Sequence, residues 1–309
     1  MRAVVIVMIA VVEEEMIVIV VAMGDSCMSR LNELITWFST NTGVGSIYNG
    51  SAGSRSRVIV AFSGGVDSAV VAYAAYHALR DGALAVTADY NTLARDDLEE
   101  AKRVAREIGI RHEVIEYDEL SNPAFVTNDG MRCYHCRDEL ARHLIAVARR
   151  EGAVLVVDGT NADDLKDYRP GIMAMREHGI RSPLAELGIC KDEVRAIAME
   201  AGLSVHSKPS NACLASRLAH GIEVTRDRLR MVEEAERIVK GLFNVRQVRV
   251  RLHADNIARI EVGKDERSML FDTGKLDTLD ERLKALGFRY VAIDARGYRS
   301  GSLNLIDKR

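Results

Sequence analysis

The stretch VIVAFSGGVDSAVVAYAAYHAL, residues 58–79, decides the fold. Val58–Phe62 is a short unbroken apolar run, as expected of a parallel strand covered on both faces. SGGVDS follows at 63–68, and AVVAYAAYHAL then reads as a helix. Gly64 and Gly65 bring no Cβ and can take φ > 0, so their amides can point together at one anion. The helix terminus behind them adds its positive end. Ser63 and Ser68 supply hydroxyl donors to phosphate oxygens, Val66 lies between them, and Asp67 is placed to hold a Mg²⁺ bridging those oxygens. Neither GxxxxGK[ST] nor GxGxxG accompanies the strand, so an ordinary P-loop and a dinucleotide fold are both unsupported.

Outward from this stretch the strand–helix alternation repeats. Strands are expected at Leu84–Ala88, His112–Tyr117 and Val154–Val157, and helices at Arg95–Ile108, Tyr134–Arg150 and Asp192–Ala201. The fold class is therefore α/β, a doubly wound parallel sheet with its ligands at the carboxyl ends of the strands. After Arg217 the order changes. A helix at Glu223–Lys240, strands at Val245–His253 and Ile257–Val262, a helix at Leu276–Leu286 and a strand at Tyr290–Ile293 make a smaller C-terminal α+β domain. Three segments result: an N-terminal extension and linker (1–56), a nucleotide domain (57–217), and a domain for substrate binding and oligomerisation (218–309).

Upstream, residues 3–12 and 16–23 are strongly apolar but divided by Glu13, Glu14 and Glu15. Neither half approaches the ~20 residues of a membrane-spanning helix. The only basic residue ahead of them is Arg2, and the acidic triplet falls where a signal peptide would need small residues. Two short strands joined at the glutamates are expected. The segment is read as a non-functional extension, with Met28 as an alternative start. Residues 42–56, rich in Gly and Ser, read as a linker.

Composition narrows the function classes. A chain of 309 residues argues for about two domains. With 42 Lys and Arg against 45 Asp and Glu, it does not hold nucleic acid by bulk basicity. Five cysteines, with one C-x-x-C pair, fit a reducing, cytoplasmic setting and thiols used for metal or sulfur chemistry.

RCYHCRDEL (132–140) puts Cys133 and Cys136 at a helix start, which lowers thiol pKa and lets both sulfurs face one metal. Cys213 sits in KPSNACLASR (208–217), a loop expected on the same side as SGGVDS, flanked by Lys208 and Arg217. Three arrangements stay open. The three thiolates hold three irons of a 4Fe-4S cluster and leave the fourth open to sulfide. A zinc binds them with His135 or His220. Or Cys213 is a lone nucleophile and the C-x-x-C pair is structural; beside these three stands the reading in which the thiols carry no chemistry at all. Asp158, Gly159, Thr160 and Asn161 end a strand, with Asp163 and Asp164 following, where an adenylate or its Mg²⁺ would sit. Arg249 and Arg251 alternate on one strand face and suit a nucleotide phosphate, as does Arg169 in YRPG. Glu186 and Glu261 read as structural.

SGGVDS resembles the signature of the PP-loop ATP pyrophosphatases, which have an adenine nucleotide alpha hydrolase-like fold. That resemblance implies ATP cleavage between the α- and β-phosphates, pyrophosphate retained in the loop, and adenylation of a carboxylate or carbonyl oxygen. SGGVDS, RCYHCRDEL, VVDGTNADDLKDYRPG (156–171), RSPLAELGICKDEVR (181–195), KPSNACLASR and VRVRLHADNIARIEV (248–262) occur in that order. Together, over about 57–300, they resemble the LarE family of ATP-dependent sulfur transferases. The resemblance implies adenylation of a carboxylate of pyridinium-3,5-biscarboxylic acid mononucleotide, a small-molecule nucleotide substrate, and its conversion to a thiocarboxylate in nickel-pincer cofactor synthesis. It further implies ATP and Mg²⁺ as cofactors, a homo-oligomer (a hexamer), and Ser216 and Arg217 at the reacting centre beside Cys213. One branch of the family sacrifices the cysteine matching Cys213; the other carries a 4Fe-4S cluster on three cysteines, and this chain has all three. A sulfur donor protein is a further expected partner, whereas nucleic acid and membrane are not. A tRNA thiolase and an ammonia-using synthetase of the NAD or GMP type are the competing alternatives.

Overall fold

The computed structural model describes residues 6–12, 15–21, 25–42, 58–166, 169–208, 212–299 and 303, with side chains from Arg30 onward. Strands β1 (Ile6–Val12) and β2 (Glu15–Val21) pair antiparallel, Ile6 opposite Val21, so the expected pair of short strands is present. The linker expected at 42–56 lies, apart from Thr42, outside the described residues. Among the described residues no helix is long and apolar enough to cross a membrane.

Between hairpin and linker, α1 (Asp25–Asn41) is a helix that the sequence reading did not foresee. Its Leu31, Leu34, Trp37 and Phe38 are buried in the core shared with the nucleotide motif. The segment that reads as an extension thus contributes a full helix to that core.

The principal sheet contains β3 (Val58–Ala61), β4 (Ala83–Asp89), β5 (Arg111–Glu116) and β6 (Leu155–Val157) in the order β5-β4-β3-β6, all parallel. Alternation sorts the side chains into two layers. Val58, Val60, Ala83, Ala85, Leu155 and Val157 face α1, α2 (Val66–Leu79), α3 (Arg95–Ile108) and, further along, α8 (Lys191–Glu200). Ile59, Leu84, Val86 and Val156 face α5 (Arg132–Glu151) and α6 (Pro170–Glu177). With apolar neighbours on both faces, these strands read as the continuous hydrophobic runs seen in the sequence. Two short helices, α4 (Pro123–Val126) and α7 (Pro183–Glu186), start at prolines, whose fixed φ suits a first turn. From β3 the chain winds out to β4 and β5, then returns to β6 on the other side of β3. The order therefore reverses between β3 and β6, which makes a crevice at their carboxyl ends.

The C-terminal unit has α9 (Arg226–Phe243), β7 (Val248–His253), β8 (Ile257–Val262), α10 (Thr273–Ala285) and β9 (Tyr290–Ile293). β7 and β8 are antiparallel, β8 and β9 parallel. Val248, Val250 and Leu252 pack with Ala258, Ile260 and Val262 on α9 and α10. Phe125, Leu214, Ala215 and Leu218 join this second core, so the loop after Cys213 is rooted in it.

If α1 is integral to the first core, Phe38→Ala, at a fully buried ring, should cost about 3–5 kcal/mol. Urea denaturation of the full chain checks this; a loss below 1 kcal/mol would make α1 peripheral.

Candidate active site

The carboxyl end of β3 turns sharply at Gly64, whose φ is +68°. A Cβ there would meet the Ala101 Cα of α3 at 2.6 Å, so only glycine lets the loop rest on that helix. Gly65 is extended (φ −78°) and is the N-cap of α2, so of the two glycines only the first uses the left-handed region. The hydroxyls organise the turn. Ser68 Oγ donates to the Gly65 carbonyl at 3.1 Å and accepts from the Ser63 amide at 3.2 Å, and Ser63 Oγ lies 3.1 Å from it. Val66 is buried beneath the loop, while Ser63 is exposed. A Cβ on Gly159 would stand 2.8 Å from the Ser68 amide nitrogen, so the end of β6 lies directly against the start of α2. The two strand ends that flank the crevice are thus in contact.

Around that contact sits a polar network. Asp67 is bound by Lys191 Nζ and accepts from Asn161 Nδ2 at 3.1 Å. The Lys191 amide donates to Asp163 at 2.8 Å. Asp158 is buried; it accepts from the Thr160 amide (3.0 Å), the Thr160 hydroxyl (2.9 Å) and the Ser182 hydroxyl (2.7 Å). Asp158 and Thr160 therefore shape the turn, whereas Asp67 presents its charge to the crevice side by side with a lysine. Arg169 is exposed at the N-cap of α6 and pairs with Asp164 at 2.5 Å.

The sulfur-bearing loop approaches from the other side. The Leu214 amide donates to the Thr92 carbonyl, just past the end of β4, at 2.9 Å. Lys208 reaches Asp97 in the first turn of α3 at 3.4 Å. Asp97 and Ala101 are four residues apart, so their side chains stand roughly 5–6 Å apart on one helix face. One turn of α3 thus meets the glycine loop through Ala101 and, through Asp97, the lysine five residues before Cys213.

Arginines fix the latter loop from its carbonyl side. Arg217, with 1% of its surface exposed, pairs with Glu236 (2.8 and 3.0 Å), binds the Ala212 carbonyl and donates to the Cys213 carbonyl at 3.1 Å. Arg251 pairs with Glu261 and donates to the Ser216 carbonyl at 2.9 Å. Ser216 Oγ accepts from Arg217 at 3.3 Å. Arg217 and Arg251, expected at the reaction and at a substrate phosphate, are thus engaged with the loop backbone. Arg249 is buried, lies 5.3 Å from the Tyr298 ring centroid, and lines a cavity of about 270 Å³ with Lys208, Leu214, Arg217 and Gln247. Burial first, then neighbouring Arg217, lowers its pKa. A more open groove of about 610 Å³ along α1 is lined by none of the candidate site residues.

Cys133 is exposed, whereas Cys136 and Cys213 are half-buried against the second core. Burial chiefly, then the nearness of Cys213, pushes the Cys136 thiol up to about 12; Arg137 opposes this and Cys133 adds to it. The lowering expected at the helix start is thus outweighed by burial at Cys136, whose electrostatic neighbours include Cys213 and Cys133. Among the described residues, no three His, Cys, Asp or Glu side chains are grouped to hold a single metal ion.

Several residues here were not singled out from sequence: Lys191, Arg137, Arg132, Glu119 and Glu236. Arg137 is exposed, with Tyr90, Cys136, Asp158 and Tyr117 as electrostatic neighbours. Fully buried Glu119 accepts from the Asn91 and Thr92 amides at 3.0 and 2.7 Å, which fixes the turn that holds Leu214. Glu236 had a signal: it falls on the apolar stripe Leu229, Val232, Val239 of α9, where an isolated carboxylate needs a buried partner.

Fold and site together define an enzyme of the PP-loop ATP pyrophosphatase and sulfurtransferase class. The family described as queuosine biosynthesis protein QueC matches residues 57–164. An uncharacterised protein of Synechocystis is 43% identical over 82% of this chain and 94% of its own length. The pyridinium-3,5-bisthiocarboxylic acid mononucleotide synthase of Lactiplantibacillus plantarum is 36% identical over 80% of this chain and 89% of its own. A tRNA-specific 2-thiouridylase of Rickettsia africae matches at 28% over 51% of this chain and 53% of its own. The chain belongs to the LarE family, that of the Lactiplantibacillus synthase.

A pH test probes the network behind Arg251. Glu261 is fully buried between Arg251 and Arg259, and Arg259 passes on to Asp294 at 2.5 Å. Burial opposes ionisation of Asp294, but Arg299, the Arg296 amide and Arg259 together outweigh it and hold the carboxyl at about 2. A depressed folded-state value gives stability that is complete above the unfolded carboxylate range and is lost as pH falls through about 2. Asp294→Asn should thus be less stable by about 2 kcal/mol at pH 7, with the gap closing between roughly pH 4 and 2. Paired urea titrations check this; a gap independent of pH would refute it.

Proposed function

We propose that this enzyme adenylates a carboxylate of pyridinium-3,5-biscarboxylic acid mononucleotide with ATP and converts it to a thiocarboxylate, once on each of the two carboxylates. The observation that carries this reading is that one turn of α3 meets the glycine loop through Ala101 and, through Asp97, Lys208 of the segment bearing Cys213. A nucleotide held by the loop would place its activated acceptor beside the sulfur on that segment.

In the first step the Ser63–Ser68 loop holds the β- and γ-phosphates against amides, hydroxyls and the α2 terminus. Mg²⁺ binds readily through one carboxylate plus substrate phosphates, and half-exposed Asp67 supplies such a carboxylate at the loop. Lys191 adds a positive charge where the pyrophosphate charge develops. The substrate carboxylate oxygen attacks the α-phosphorus, and pyrophosphate leaves. In the second step a sulfur nucleophile at Cys213 attacks the acyl carbon, and AMP leaves with the bonding pair. Arg249, in its cavity, receives the substrate phosphate, with Arg137 nearer the thiols.

A 4Fe-4S cluster on Cys133, Cys136 and Cys213 is the reading we favour for the sulfur source. The three thiols are neighbours without being grouped around a single ion. Cys133, Cys136 and Cys213 would hold the cluster, a group whose protein ligands are cysteine thiolates. Such a cluster supplies an iron site at which a reusable sulfide can bind. The tRNA thiolase alternative has the weaker support, since that relative matches only half of the chain.

Two substitutions separate the steps. Asp67→Asn should slow pyrophosphate release on the order of 10²-fold; an unchanged rate would remove Asp67 from ATP use. Cys213→Ser should abolish thiocarboxylate formation while pyrophosphate release continues, both read by mass spectrometry and a coupled phosphate assay. Joint loss would make Cys213 structural. In the same experiment, loss of one H₂S from the intact chain after turnover would mark the cysteine itself as the donor.

A further inference from the structure

The residues that join the two cores meet at Asn128 and Arg132. Asn128 is fully buried and holds a positive φ of 57°, a conformation that costs a non-glycine residue energy and persists only where its surroundings fix it. Its side chain is fully used. Nδ2 donates to the carbonyls of Ala219 (2.9 Å) and Ile222 (2.7 Å), and Oδ1 accepts from Arg132 Nη1 at 2.5 Å. The Asn128 carbonyl accepts from the Gly221 amide, and the Val126 carbonyl from the Val224 amide. Segments 126–132 and 215–224 are thereby stapled side by side.

Arg132 extends the staple to the thiols. Buried at the start of α5, it donates through Nη1 to the Ala215 carbonyl at 2.9 Å, two residues beyond Cys213. Its Nη2 lies 3.9 Å from Cys133 Sγ. Cys136 is four residues further on, so Arg132 and Cys136 share one helix face. A single guanidinium thus touches one thiol, stands one turn from the second, and grips the loop carrying the third.

We infer that the Asn128–Arg132 clamp sets the spacing between the C-x-x-C pair and Cys213, so that the three thiols are pre-positioned by the protein itself. Arg132 is a positioning residue: it acts on sulfur transfer through the thiols and takes no part in ATP cleavage. Its catalytic readout rests on the sulfur-transfer reading above; its spacing readout does not. A lysine cannot replace it, because one ammonium lacks the planar fork that reaches Asn128, Ala215 and Cys133 at once.

The test uses the full-length chain purified without iron, wild type against Arg132→Gln and Arg132→Lys. Dibromobimane cross-links neighbouring thiols, and peptide mapping by mass spectrometry separates the Cys213–Cys133 and Cys213–Cys136 bridges, which are the signal, from the Cys133–Cys136 bridge within α5; Cys213→Ser is the control that removes the first two and leaves the third. Wild type should bridge, and both Arg132 variants should lose most of the signal while single-arm alkylation still counts the same thiols. With iron, sulfide, ATP and acceptor supplied, thiocarboxylate formation should fall by roughly 10²-fold, with pyrophosphate release within about two-fold of wild type.

Bridging and sulfur transfer at wild-type levels in Arg132→Gln would overturn the clamp. So would a parallel fall of pyrophosphate release and sulfur transfer with bridging intact, the mark of a merely structural residue. Absence of bridging in wild type would also overturn it. Should Arg132→Gln fail to fold, Asn128→Asp, which keeps the acceptor for Arg132 but loses both donors, is put through the same assays. If wild type makes no thiocarboxylate, the proposed function fails, and the bridging comparison alone decides the clamp.

Discussion

The close approach of Gly64 to Ala101 governs the geometry of this enzyme. Any side chain at residue 64 would collide with helix backbone, and helix backbone cannot move aside as a long side chain can. With glycine there, α3 sits directly against the end of β3. Its first turn then projects past the sheet, where Asp97 is available to Lys208 and thereby to the Cys213 loop. Gly159 repeats the device on the other flank, against the Ser68 amide. Two missing β-carbons thus allow three loops from distant parts of the chain to crowd one crevice.

Charge does the corresponding work at the junction of the two cores. Arg217–Glu236 and Arg251–Glu261–Arg259 are buried ion pairs, which seldom add net stability because desolvation opposes their attraction. Their geometry indicates what they specify instead. Arg132, Arg217 and Arg251 between them take the carbonyls of Ala212, Cys213, Ala215 and Ser216. Left unmet, such carbonyls would each carry a desolvation cost. An irregular loop, which lacks sheet or helix partners for its backbone, has thus been given guanidinium partners in their place. Arg217 and Arg251 are in turn fixed by acids on α9 and β8, and Arg132 itself stands on α5, so the loop inherits the rigidity of α5, α9 and the small sheet.

Most of the fold was legible because its signals are local. Val58–Phe62 announces a covered parallel strand, Arg95–Ile108 a helix, and the carboxyl ends of the strands the site. Helix α1 escaped because it follows two apolar runs and precedes a Gly/Ser-rich stretch, so nothing nearby shows what Trp37 and Phe38 pack against; their partners lie in α2, α7 and α8. The site divides in the same way. Gly64 and Asp67 were legible from a contiguous hexapeptide. Lys191 was not, because its partner Asp67 is 124 residues away and a lysine at a helix start usually faces water. Arg251 was found but its use was not: strand alternation shows that Arg249 and Arg251 share a face, yet only the register that brings Glu261 onto that face shows the pairing.

The two cores also divide the chemistry. The glycine loop, the ends of β3 and β6, and Lys191 all belong to the α1–α2–α8 side of the doubly wound unit. Leu214 and Ala215, by contrast, are rooted with α9 and β7 in the second core, so the sulfur-bearing loop takes its position from the C-terminal unit. The glycine loop and the Cys213 loop are thereby supported by different hydrophobic interiors, and their relative placement is set by Phe125, which enters the second core from the nucleotide unit, together with directional polar contacts that include Asp97 with Lys208, Thr92 with Leu214, and Arg132 with Ala215. Directional bonds suit that task better than apolar packing, because a hydrogen bond weakens steeply when its angle or length changes, whereas hydrophobic contact tolerates sliding. An acyl-adenylate must be met by sulfur within a narrow range of distance and angle. The fixed amides, carbonyls and guanidinium forks at this junction narrow that range beyond what its apolar contacts alone would hold.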